Sequence, residues 1–81
     1  MNRSPLFLIS LNKLIGRTMR QLQLMTCEHA KAHLRFAVRF LNLSRKAYHK
    51  GLTRLAYIDL ECAMNSVRWA KAERNYAMGG C

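Results

Sequence analysis

Apolar and polar residues alternate along the chain with helical spacing almost throughout. Ser4 has the form of an N-cap, with Pro5 at the first helical position, where its missing N–H costs nothing. Phe7, Leu8, Leu11, Leu14 and Ile15 then form a broad apolar face, and Gly16 stands where a left-handed terminating residue is expected. The first predicted helix is therefore short, about residues 5–15, and needs tertiary contacts to persist. Thr18 and Gln21 have the form of a capping box that opens a second helix. From there no glycine or proline occurs until Gly51.

Leu22, Met25, His29, Ala32, Phe36, Phe40 and Leu43 recur at steps of three and four, and Cys27, Ala30, Leu34, Val38 and Leu41 widen that stripe. Read as unbroken, the second helix covers 19–50 and is about 48 Å long. Ser44 is the point at which it could break, since serine caps helices well. Gly51 ends it, and Thr53 can cap a third helix over 54–77, with residues 78–81 as a tail. Leu52, Ala56, Leu60, Ala63, Val67 and Ala70 give that helix a small-residue stripe suited to close antiparallel packing, with Trp69 beside it in the seam. Strand patterns are absent. The expected fold is all-α, a single small domain in which two long antiparallel helices form an αα-hairpin and the short N-terminal helix packs against it.

A local resemblance bears on the hairpin. Phe40-x-x-Leu43-Ser44-x-x-Ala47, followed by Gly51, Thr53, Ala56, Leu60 and Ala63, resembles a single tetratricopeptide repeat over residues 40–64. Thr53 stands in place of the usual aromatic, Ala47 where a tyrosine is common, and no proline closes the unit near Arg68. The resemblance implies a helix–turn–helix at 40–64. With no second copy in the chain, it implies no peptide-binding groove.

Charge changes the picture more than composition does. Fourteen Lys and Arg against four Asp and Glu give +10, yet 51% of the 81 residues are hydrophobic, too many for a disordered basic tail. Lys31, Arg35, Arg39, Lys46 and Lys50 step by four, four, seven and four, so an unbroken helix projects all five from one face. Such a ridge fits an acidic protein surface or a nucleic-acid backbone, and His49 adjoins it. A second basic and aromatic group, Arg68, Trp69, Lys71, Arg74 and Tyr76, closes the third helix. The helix dipole alone favours cations there, while the aromatics would add stacking or anchoring groups.

Other chemistries lack parts. His29 and His33 have a metal-compatible i, i+4 spacing with Cys27 near, but no third ligand is well placed, so neither metal nor cofactor is expected. Glu28, Asp59, Glu61 and Glu73 are the only side-chain carboxylates, and no acid pair, nucleophile elbow or phosphate-cradling loop occurs. The pattern points away from an enzyme. The odd cysteine count, Cys27, Cys62 and Cys81, argues against a disulfide framework and for a reducing, cytoplasmic setting, with Cys81 an exposed thiol on a Gly79-Gly80 tail.

Residues 1–27 contain no acid and carry Arg3, Lys13, Arg17 and Arg20, a composition shared by mitochondrial transit peptides and by a folded basic helix. The Leu6–Leu11 stretch is too short and too soon interrupted for a secretory signal. Two functions survive. One is a basic regulator or adaptor docking on an acidic surface of a larger complex, nucleic-acid machinery being one such complex. The other is direct, sequence-independent RNA or DNA binding through the ridge. Apolar residues in excess of what a small core can hide would also leave a patch for a partner or a second copy of the chain. A membrane surface is a weaker third destination.

Overall fold

The computed structural model describes residues 5–76 as three helices: α1 (Pro5–Leu24), α2 (Glu28–His49) and α3 (Thr53–Tyr76), with no strand among them. Antiparallel pairing follows from the contacts. Ser44 meets Ala56, and His29 meets Glu73 at the other end of the α2–α3 pair. Phe7 stacks on Tyr48, and Asn12 meets Arg45 where α1 lies along α2. The result is an up–down–up arrangement in which α2 and α3 share the larger interface and α1 covers one side of them.

The first helix is not short. Gly16 lies inside α1, and the expected stop there is corrected, as is the capping box: Thr18 is a buried residue of the helix interior. Glycine inside a helix costs about 1 kcal/mol relative to alanine. Full burial of a Leu or Ile side chain stabilises by about 1.5–3 kcal/mol, and both Leu11 and Ile15 are buried, so packing outweighs the glycine. Leu11 and Ile15 meet Ala37, Leu41 and Ala63, joining all three helices in one central cluster.

The break falls instead at Met25–Cys27, so the second helix begins at Glu28 rather than at residue 19. Cys27 is its N-cap: its backbone is extended (φ −77°, ψ 121°) and its Sγ accepts from the Ala30 N–H at 3.5 Å. Glu28 in the first turn complements the positive helix end. Cys62, in α3, is free and half-buried. Ser4 and the tail at 78–81 lie outside the described residues.

Between α2 and α3 the hairpin turn is a Schellman motif. Gly51, at φ 84°, is left-handed; its N–H bonds the Tyr48 carbonyl at 3.1 Å, and the Leu52 N–H bonds the Ala47 carbonyl at 2.9 Å. Thr53 is the first residue of α3 rather than its cap. The helix–turn–helix expected over residues 40–64 is present. No described helix is long and apolar enough to cross a membrane.

The buried face of α2 differs from the expected stripe. Ala30, Leu34, Ala37, Leu41, Ser44 and Tyr48 are buried, at alternating steps of four and three, while His29, Ala32, Phe36 and Leu43 are exposed. The core is therefore turned by about 100° from the large-residue stripe, one residue's rotation. The facing residues explain it. Ala56, Ala63 and Ala70 recur every seven residues along α3 and are fully buried. Small residues let the helices approach closely, which favours alanine and serine where they meet along most of the seam, while Tyr48 fills the turn end beside Ala56 and Phe7.

Candidate functional site

The cations of α2 sit where the seam geometry puts them. With Ala30, Ala37 and Ser44 turned inward, Arg35, Arg39 and Lys46 point to the opposite side, and all three are exposed. Lys50 continues the row at the C-cap. The helix is continuous through Ser44, whose hydroxyl donates to the Ala56 carbonyl at 2.6 Å instead of capping a new helix. From Lys31 to Lys50 the row spans about 28 Å.

Charge compensation is uneven along the row. Lys31 is half-buried and meets Glu28 at 3.4 Å, so the N-terminal end is partly neutralised. Among the described residues, Arg35, Arg39, Lys46 and Lys50 make no ion pair and no side-chain hydrogen bond. Arg45 is different: it donates to Asn12 at 2.9 Å and to Asn42 at 3.0 Å, which ties α1 to α2 and takes it out of the free set. Four unpaired cations on one rigid face raise the local potential and concentrate anionic partners.

The second basic and aromatic group does not share one face. Trp69 is 62% exposed rather than in the seam, and it stacks on His33 of α2 with ring centroids 6.4 Å apart. Lys71 lines a pocket of about 240 Å³ on the other side of α3, with Gln21, Leu24 and Met25 of the α1–α2 elbow. Arg68 is exposed and meets Asn65 at 3.5 Å. Arg74 and Tyr76 belong to the last turn of α3, and their side chains lie outside the described residues.

His29 and His33 part company as well: His29 lies 3.8 Å from Glu73, and His33 is stacked on Trp69. Among the described residues no three His, Cys, Asp or Glu side chains are grouped as metal ligands would be.

The sequence reading missed exposed apolar residues beside the cations. Phe36 lies in a shallow hollow with Ala32, Arg35 and Arg39, and stacks on Phe40 with centroids 5.7 Å apart. Leu43 borders Arg39 and Lys46 in the next hollow. Their signal was the heptad of small residues on both helices, which fixes the seam and so turns Phe36 and Leu43 outward. No family model, curated protein or solved structure matches the chain.

Proposed function

We infer that the protein is a small, basic, non-enzymatic regulator or adaptor that docks on an acidic surface of a protein partner, with Lys31, Arg35, Arg39, Lys46 and Lys50 as the contact row. One observation carries the reading. Arg35, Arg39, Lys46 and Lys50 make no ion pair among the described residues, and they follow one uninterrupted helix to its C-cap with the core on its opposite side. A face built only to be solvated would not need so lopsided a balance, and the chain holds four acids to answer fourteen cations. The aliphatic Leu43 between Arg39 and Lys46 supports a protein contact, whereas the exposed Phe36 ring beside Arg35 would serve a protein or a stacked base equally.

Direct, sequence-independent binding of RNA or DNA is the second reading, supported by the length of the row, which can follow several phosphates. Gel shifts with random RNA and random duplex DNA across a salt series separate the two. Docking on protein predicts weak shifts that vanish by about 0.15 M salt. Shifts that persist there, and that disappear in the Arg35→Glu/Arg39→Glu variant, would establish the nucleic-acid reading instead.

A further inference from the structure

We propose that the face of the α2–α3 hairpin turned away from α1 is the docking site for an acidic amphipathic helix of a partner protein. The inference rests on the reading that the cationic row meets protein, and it names what that protein presents.

The two faces of the hairpin follow from the heptad in the seam. On α2, Val38 and Arg45 each follow a core residue, Ala37 and Ser44, and point to the side where α1 lies. Phe36 and Leu43 each precede those core residues and so project about 100° to the other side. Along α3, Tyr57 follows Ala56 and packs edge-on against Phe7 of α1, whereas Leu55, Cys62 and Trp69 precede Ala56, Ala63 and Ala70. In an antiparallel pair the preceding positions of both helices fall on the same side. The His33–Trp69 stack, which bridges the two helices there, shows that they do.

That side is apolar, and no described helix covers it. Phe36 is 53% exposed, Leu43 43%, Leu55 45% and Trp69 62%, and Ile58, at 50%, flanks them. The opposite groove already holds a helix, since α1 lays Phe7, Leu11 and Ile15 into it. The uncovered groove offers the same seven-residue spacing over Leu55–Trp69, about 21 Å, which suits a helix of about fifteen residues.

Charge decides the occupant. Arg35, Arg39 and Lys46 border the strip on the α2 side, and Arg54 adjoins Leu55 and Ile58 on the α3 side. The acids near it are Asp59, half-buried, and Glu73, which meets His29. A second copy would set these cations against their own kind at +10 per chain. A helix with leucines on one stripe and glutamates on both flanks meets the apolar floor and the cationic borders together.

Trp69 is the sole tryptophan and stands on the strip, so its emission reports the site directly. The probe is a synthetic helical peptide of about fifteen residues with leucine at heptad core positions and glutamate on the flanks, titrated at about 0.15 M salt. The expected result is a saturable blue shift of Trp69, weakened about tenfold or more by Phe36→Gln/Leu43→Gln, a variant changed only at exposed sites, and lost when the peptide's leucines become serine at constant charge. Unchanged affinity in Phe36→Gln/Leu43→Gln, with loss in Arg35→Glu/Arg39→Glu, would overturn the groove and leave the cationic row as the protein contact. Unchanged affinity in Arg35→Glu/Arg39→Glu would overturn both. A Trp69 response to random RNA or anionic vesicles but not to the peptide, or a dimer in sedimentation that Phe36→Gln/Leu43→Gln dissociates, would also overturn the proposal.

Discussion

The Ser44 hydroxyl, fully buried in α2, donates a 2.6 Å hydrogen bond to the carbonyl of Ala56 in α3. Twelve residues apart in sequence, the two fix the register of the hairpin next to its turn. The bond also explains why a serine at this position does not end α2: its oxygen is engaged across the seam, not with the backbone N–H groups of a new helix start. Ser44→Ala is expected to cost about 0.5–1.5 kcal/mol, the net worth of one such bond. Ser44→Leu, which must displace the Ala56 backbone, is expected to cost about 1–3 kcal/mol. Urea denaturation followed by circular dichroism reads both, and a neutral Ser44→Leu would refute the close seam.

Gly16 and Gly51 are predicted to respond to alanine with opposite signs. Gly16 is helical, and a Cβ there meets nothing within 4 Å, so Gly16→Ala is expected to stabilise by about 0.5–1 kcal/mol. Gly51 is left-handed, a conformation that costs an L-residue about 1–2 kcal/mol, so Gly51→Ala is expected to destabilise by that amount. At about 4–8 °C per kcal/mol for a domain of this size, thermal melts separate the two variants clearly. A destabilised Gly16→Ala would mean that α1 ends at Gly16 after all.

The length of α1 was hidden by local signals. Gly16 and Thr18 carry the marks of a stop and a restart, and the burial of Leu11 and Ile15 against α2 and α3, with Thr18 buried too, overrides them. The true start of α2 did leave a trace, because Glu28 is the first acid in the chain and sits in a first helical turn. On α2 the larger residues misled: Phe36 and Leu43 define a more hydrophobic stripe than Ala30, Ala37 and Ser44, yet the seven-residue recurrence of small residues on both helices selects the seam. The exposed cations at 35, 39 and 46 were legible because they lie opposite the small-residue seam and on the flank of the large-residue stripe, outside both candidate cores. The apolar strip beside them was not, since Phe36, Phe40 and Leu43 are the largest apolar residues at helical spacing and so have the pattern of a core face.

Leu11 and Leu24 test how α1 is held. Leu11 is fully buried in the cluster that joins all three helices, and Leu11→Ala is expected to cost about 2–5 kcal/mol. Leu24, exposed at the end of the helix, is expected to tolerate alanine within about 0.5 kcal/mol. Equal effects in chemical denaturation would contradict the packing of α1 described above.

Charge reversal on the row is expected to leave the fold alone. Arg35 and Arg39 are exposed and make no side-chain bond among the described residues, so Arg35→Glu/Arg39→Glu is expected to change stability by no more than about 0.5 kcal/mol per site. The circular dichroism spectrum and melting temperature check this before any binding result is interpreted.

Capture from nuclease-treated native lysate at about 0.15 M salt, comparing the wild-type chain with Arg35→Glu/Arg39→Glu, tests the docking face most directly. The wild-type chain is predicted to retain a defined protein partner that the variant loses. Retention of the same partner by both, or its loss from the wild-type chain once nucleic acid is removed, would contradict the account.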